Sequence, residues 1–404
     1  MSKEVIQDVA CMTTTPELIV AHGYTAEVHR VWTEDGYCLE MHRIPHRSSS
    51  NPVSNEYLQN SMETLSDTIR QKPSLSSGMS KPPVLVHHGL LSSSADWVLL
   101  GPEKAFAYAL CDSGFDVWLA NARGNAYSQH HKQYTVNDKE FWDFSWHEIG
   151  YYDVPAMIDY ILETTGHNSL YYVGYSQGTT AFYVMASERP EYNAKVKAMI
   201  SMAPVAFLAN QRSPFLKCVV PFHALMKWGS LFCNMHRWFQ RSKLQTKTLS
   251  GNVPSMLAKT ICISCLNLVA GFGSNQLQDS MLPLIFEHFP AGSSVRQIIH
   301  YSQSIMSGTF RQYDYGVTKN LKLYGSMHPP NYNLEKVKVP VSIFYSENDF
   351  LTDPNDVQTL ADKLPNVIAK HKIEYRKFNH IDYLWGADAK TLVYNNVVKM
   401  LKRM

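Results

Sequence analysis

The strongest constraint on this chain is a five-residue run, Gly174-Tyr175-Ser176-Gln177-Gly178. It follows the apolar run Leu170-Tyr171-Tyr172-Val173 and precedes Thr179-Thr180-Ala181-Phe182, a small-residue stretch with helical character. Strand, sharp turn and helix in that order turn the bare G-x-S-x-G pattern into a nucleophile elbow. Glycine is needed two residues before and after the serine, because a side chain there would clash with the neighbouring strand or helix. The strained turn holds the hydroxyl clear of the sheet, where a base and a carbonyl carbon can both reach it.

The rest of the chain supplies a sheet for that elbow. Val28–Trp32 and Tyr37–Ile44 flank Thr33-Glu34-Asp35-Gly36, and Asp-Gly between alternating runs predicts a hairpin. Further strands are expected at Val84–His88, Phe115–Leu119, Leu170–Gly174, Ala198–Met202, Val341–Tyr345 and Ile373–Phe378, with helical segments between most of them. Apolar strands alternating with helices predict an α/β fold with a mostly parallel central sheet, covered on both faces. From about 46 to 82 the composition collapses into Ser, Asn, Pro and Gln, which reads as a flexible surface insertion.

Between 205 and 334 the alternation fails. Met, Phe, Trp and Leu fall in helix-like patches, and Phe215, Val219, Phe222 and Met226 share one helical face that Pro221 must kink or end. This stretch is expected to be a helical cap, or lid, inserted over the C-terminal edge of the sheet, where α/β ligands bind. The predicted division is 1–204 and 335–404 for the two parts of the core and 205–334 for the cap.

The formal charge of +2 and the absence of a long basic run argue against a nucleic-acid partner. The 23 Tyr, 17 Phe and 8 Trp suit an apolar ligand and equally suit a large core. The seven scattered Cys form no disulfide framework, and Cys262-Ile263-Ser264-Cys265 has no second pair or His cluster beside it to hold zinc. No uncharged apolar stretch is long enough to span a bilayer. The first residues lack the apolar segment of a signal peptide, and no Asn-x-Ser/Thr acceptor occurs, so no secretory route is expected from the residues alone.

A serine hydroxyl needs an adjacent base, itself oriented by a carboxylate. In hydrolases of the α/β type the chain order is Ser, acid, His. His380, in Asn379-His380-Ile381-Asp382, lies just past the last expected strand and is the candidate base. Three acids follow the strand ending at Tyr345: Glu347, Asp349 and Asp353. Asp349 is favoured, because it can still point over the sheet edge. Asp353 precedes Pro354 and reads as a helix N-cap. The oxyanion donors are expected at the backbone N–H of Gln177 and of Leu90, the latter in the loop His88-Gly89-Leu90-Leu91. No metal or cofactor is needed for this chemistry.

With these residues in view the chain resembles the acid lipase family of the α/β-hydrolase superfamily, the family of gastric and lysosomal acid lipases. The similar stretches run nearly end to end. They include Thr33–Tyr37, His88–Leu91, Asn121-Ala122-Arg123-Gly124-Asn125, Tyr152–Ala156, Pro290–Ser294, Tyr313–Gly316, Asn348–Leu351 and Asn379–Asp382. The resemblance implies a triad of Ser176, Asp349 and His380, oxyanion donors at Leu90 and Gln177, and hydrolysis of lipid esters such as triacylglycerols or steryl esters. It also implies a lysosomal or extracellular location, against the reading of the N-terminus. A thioesterase or amide hydrolase would use the same triad, and a non-catalytic lipid binder would keep the same fold. The aromatic cap, with Phe215, Phe222, Trp228, Phe232 and Trp238 beside Lys217, Lys227, Arg237 and Arg241, could dock on a lipid surface or simply pack on the sheet.

Departures from the family are visible too. Tyr175 stands where the family has histidine. Val253 stands where the resemblance puts the disulfide mate of Cys262, and Cys233 could replace it only in a rearranged cap. The Ser-rich insertion is longer than usual.

Overall fold

The computed structural model describes residues 13–48, 81–222, 225, 229, 236–238 and 256–404. The N-terminal hairpin forms as its Asp-Gly turn predicts, from β1 (Glu27–Trp32) and β2 (Tyr37–Ile44), paired antiparallel. Gly36 in the turn has φ +100°, a region glycine enters without steric cost. Then come β3 (Pro83–His87), β4 (Asp116–Leu119), the two-residue β5 (His130–His131), β6 (Leu170–Tyr175) and β7 (Val196–Met202). A small separate ladder joins β8 (Arg237–Trp238) to β9 (Ser293–Ser294), and β10 (Val341–Tyr345) and β11 (Val367–Lys372) complete the main sheet. That sheet runs β1-β2-β4-β3-β6-β7-β10-β11, with β5 added beside β2. Every pairing from β4 to β11 is parallel.

Alternation along the strands divides the core into two layers. Val84, Val86, Val173, Ile200 and Met202 face one set of helices, and Leu85, Trp118, Tyr172, Met199 and Ile343 face the other. Between the layers the winding reverses: β3 leads outward to β4, whereas β6 leads the opposite way to β7, β10 and β11. The C-terminal ends of β3 and β6 are therefore neighbours, with His87 opposite Gly174. Such a reversal leaves a crevice at the strand ends, the position where doubly wound sheets bind ligands.

The final strand lies earlier than its expected place. Pairing with β10 covers Val367–Lys372, and Ile373–Phe378 forms the loop beyond it. The partner strand ends at Tyr345, so after one more bond, from Ile373 N to Tyr345 O, the chain has nothing to pair with and turns. The true strand is an edge strand with one half-buried face; its apolar half, Val367-Ile368-Ala369, is short and is followed by the polar run Lys370-His371-Lys372, which disguised it.

Arg123 ties the hairpin to the core. Its fully buried guanidinium donates to Asp35, in the hairpin turn, at 2.6 and 2.9 Å, and to Asp153, ahead of the helix Val154–Thr165, at 2.7 Å. A buried cation is tolerated when it is paired on every side in this way.

In the stretch predicted as a cap, the described elements are mainly helices: Pro214–Val219, Met256–Ala270, Leu282–His288, Val295–Ser307 and Val317–Tyr324. Pro221 ends the first of these, which gives way to a 3-10 turn at Val220–Phe222. The β8–β9 ladder is a strand pairing that the sequence reading did not expect there. Met226, Lys227, Trp228, Phe232, Cys233, Arg241, Val253 and the bulk of the Ser-rich insertion lie outside the described residues, as does the side chain of Cys262. The disulfide expectation falls there. Among the described cysteines Cys38, Cys111, Cys218 and Cys265 are free thiols. Among the described residues no helix is long and apolar enough to cross a membrane.

Candidate active site

Ser176 sits at the point where β6 meets the helix Gln177–Glu188, with φ 50° and ψ −118°. A non-glycine residue in that region is strained, and the packing around it enforces the strain. A Cβ on Gly174 would lie 2.9 Å from the Gly178 carbonyl carbon, and one on Gly178 would lie 2.4 Å from the His87 carbonyl oxygen. Both flanking positions accept only glycine, as the elbow requires. The Ser176 N–H donates to Met202 O at 3.1 Å and fastens the turn to β7.

The loop after β11 carries His380 back over the sheet. His380 Nε2 lies 2.8 Å from Ser176 Oγ, and His380 Nδ1 lies 2.7 Å from Asp349 Oδ2. Asp349 is fully buried in the loop after β10, and its Oδ1 accepts backbone N–H bonds from Leu351 at 2.9 Å and Thr352 at 2.8 Å. Those two bonds fix the carboxylate and leave Oδ2 for the Nδ1 proton. Nε2 then presents its lone pair to the serine hydroxyl, the arrangement a general base needs.

The other two acids lie elsewhere. Asp353 caps the helix Pro354–Lys363 by accepting from Asn355 N at 2.9 Å, and it pairs with Arg212 at 3.0 Å. Glu347 is exposed and paired with Lys372.

On the other side of Ser176 stands the loop after β3. A Cβ on Gly89 would come within 3.0 Å of the Tyr175 ring and 3.1 Å of Ser176 Cβ, so glycine lets this backbone close on Ser176. His88 holds the loop. Its Nε2 accepts the Ala122 N–H at 3.1 Å, so Nδ1 carries the proton and donates to Gly89 O at 2.7 Å. Burial, helped by the neighbouring His87, drives the His88 imidazole down to about 3, which keeps it neutral in this role. Leu90 follows Gly89 directly. Leu91 has φ 63°, and its carbonyl accepts the Ala291 N–H at 2.6 Å, so the segment returning from the helical region pins the loop. Gln177 opens its helix, where the first N–H groups have no intrahelical acceptor and face an incoming anion.

The contacts of several neighbouring residues are not visible in the sequence. Tyr175 donates its hydroxyl to the His380 carbonyl at 2.9 Å and lays its ring 5.1 Å from the imidazole. The buried Asp382 accepts from Asn379 N at 2.7 Å and from Ser274 Oγ at 2.5 Å, and burial raises its carboxyl to about 7. Asn348 and Asn379, each one residue ahead of the acid or the base, bond to the segment leaving the helix Met256–Ala270. The repeated Asn ahead of Asp349 and of His380 was the available signal. Among the described residues no group of three or more His, Cys, Asp or Glu is gathered to hold a metal ion.

Known proteins resemble this chain along most of its length. A family model described as alpha/beta hydrolase fold matches residues 82–387, and one described as partial alpha/beta-hydrolase lipase region matches residues 15–101. Lipase 3 of Drosophila melanogaster is 39% identical over 96% of this chain and 92% of its own length. Lipase 1 of the same organism is 38% identical over 96% of this chain and 79% of its own. Human gastric triacylglycerol lipase is 35% identical over 95% of this chain and 90% of its own. Among solved structures, a soluble variant of monoglyceride lipase from Saccharomyces cerevisiae superposes with a TM-score of 0.52 at 15% identity, covering 97% of this chain and 96% of that one. That likeness concerns the fold.

Proposed function

The chain belongs to the α/β-hydrolase fold family, in its lipase branch, and from that membership we propose how this lipase cleaves carboxylic esters. Ser176 attacks the ester carbonyl while His380 takes its proton. Asp349 holds the imidazole in the correct tautomer and stabilises its charge. The N–H groups of Leu90 and Gln177 receive the developing oxyanion. His380 then protonates the leaving alcohol, and a water activated by the same imidazole releases the fatty acid from the acyl-enzyme. The observation that carries this reading is the chain of contacts from Ser176 Oγ through His380 to Asp349, at 2.8 and 2.7 Å, on a strained elbow.

The substrates in this reading are fatty-acyl esters of the triacylglycerol or steryl ester class. Support comes from the relatives, human gastric triacylglycerol lipase among them. Residues 205–334 act as the cap, between the core parts 1–204 and 335–404. Its exposed apolar side chains, Phe215, Phe222, Leu225 and Leu268 among them, are the groups this reading brings to the lipid surface.

The test is covalent labelling with a fluorophosphonate together with hydrolysis of triolein and cholesteryl oleate. The native protein is expected to label and to hydrolyse at least one of the two, and Ser176→Ala to do neither while melting at the native temperature. Hydrolysis retained by Ser176→Ala would refute the mechanism. Cleavage of neither ester by a protein that labels would refute the substrate class.

A further inference from the structure

The acid and the base arrive on separate loops, after β10 and after β11, 31 residues apart. Their alignment needs a lateral tie, and the chain leaving the helix Met256–Ala270 supplies one. The Ala270 carbonyl accepts N–H bonds from Phe350, one residue past the acid, at 3.1 Å, and from His380 itself at 3.4 Å. Asn348, one residue before the acid, donates its side-chain amide to Phe272 O at 2.9 Å and to Lys377 O at 2.8 Å. Asn379, one residue before the base and fully buried, donates to Gly271 O at 2.9 Å. The Asn379 Oδ1 meanwhile accepts from Ile381 N at 3.1 Å, bracing the turn that carries His380. Gly271 makes the close approach possible. Its φ is +129°, and a Cβ there would lie 2.1 Å from the Asn348 carbonyl oxygen. The strap 270–272 is thus gripped by both loops at the residues flanking the acid and at the base and the residue before it.

We propose that Asn348 and Asn379 are positioning residues, which clamp the acid and base loops to one shared strap and thereby set the Asp349–His380 alignment. The inference rests on the triad reading above. Neither asparagine touches the reacting atoms. Each acts by fixing where the next residue stands, and a displacement of about 1 Å in a catalytic group can cost on the order of 100-fold in rate. Because the strap is the exit of a cap helix, the same clamp couples the placement of that helix to the competence of the base.

The experiment compares Asn348→Ala, Asn379→Ala and the double variant of the full chain on a soluble short-chain p-nitrophenyl ester. It is read with the low-field proton NMR signal of an Nδ1–H bonded to a carboxylate. Each single variant is expected to lose roughly 10- to 100-fold in kcat, with KM within about threefold, and to weaken the low-field signal. The double variant is expected to lose less than the product of the single losses, because both bonds serve one strap. Where an alanine variant does not fold, Asn348→Ser and Asn379→Ser, too short to reach the strap, are read by the same criteria. Folded single variants with kcat within about twofold of the native protein would overturn the proposal, as would multiplicative losses with an unchanged signal. Ser176→Ala is assayed alongside. Activity in that variant sinks the triad reading, whereas a dead Ser176→Ala with fully active asparagine variants sinks this inference alone.

Discussion

His380 Nδ1 lies 2.7 Å from Asp349 Oδ2, and the second oxygen of that carboxylate is already committed to the N–H groups of Leu351 and Thr352. The acid is therefore locked by its own loop before it meets the imidazole, and it can orient the ring without moving. Asp349→Asn keeps the size and can keep the loop bonds, but it places an amide N–H against Nδ1 and favours the wrong tautomer. A loss of about 10⁴-fold in kcat is expected, with KM little changed. Steady-state kinetics at neutral pH checks it, and a loss below about tenfold would shift the acid's role elsewhere.

Asp353 gives the contrasting outcome. Its side chain caps the helix Pro354–Lys363 and pairs with Arg212, away from the imidazole. Asp353→Ala is expected to cost about 1 kcal/mol of stability, as lost caps do, and to leave kcat within about twofold. A urea melt and a kinetic assay on the same preparation separate the two effects. A kinetic loss as large as that of Asp349→Asn would contradict the assignment.

The contrast between these acids shows what local sequence carries. The elbow, the loop histidine and the N-cap are local patterns, each set by its own strand end, and so they were legible. The strap was not. Gly271 and Phe272 belong to a segment that reads as a helix end, and only tertiary folding brings them between Asn348 and Asn379. The last strand was misplaced for a related reason. Val367–Lys372 is a strand because Val341–Tyr345 offers it an edge, whereas Ile373–Phe378 has the better strand composition but no partner. Arg123 likewise shows why a quoted motif matters: it joins Asp35 and Asp153, residues no window of sequence connects.

Asp96 makes stability depend on pH. It is buried in the 3-10 turn Ser94–Trp97, a few residues past the loop that holds Leu90, and burial raises its carboxyl to about 7 against the pull of Ser92 and Ser93. In the unfolded chain a carboxyl titrates near pH ~4. Between those values the folded state holds a proton that the unfolded state has lost, so this group lowers stability as pH rises from about 4 to 7. Buried histidines act in the opposite sense. His87 is pushed down to about 4 and His88 to about 3, so their contribution is present above the unfolded histidine pKa of about 6.5 and is lost as pH falls below it. Asp96→Asn removes only the carboxyl. The stability of the variant relative to the native protein is expected to rise from pH 4 to 7 and then level off, since the histidines cancel in the difference. Denaturant melts at four pH values test it, and a difference independent of pH would show that Asp96 ionises normally in the fold.

Phe215 and Phe222 test the proposed contact with a lipid surface. The helix Pro214–Val219 and the turn after it leave these rings 42% and 60% exposed, whereas an aromatic that packed the cap onto the sheet would be covered. Ser213, the N-cap of that helix, donates to Leu268 O at 3.0 Å, which ties it to the helix Met256–Ala270 and hence to the strap beside His380. The double variant Phe215→Ser, Phe222→Ser removes apolar area that is already in water, so its folding stability is expected to change by less than about 0.5 kcal/mol. Its kcat on a dissolved short-chain ester is expected to match the native value. Activity on emulsified triolein and flotation with phosphatidylcholine vesicles are both expected to fall about tenfold, because each ring would otherwise bury part of its apolar surface at the interface. Native flotation in the double variant would assign these side chains no part in surface binding. A parallel loss on the dissolved ester would mean instead that they shape the site itself.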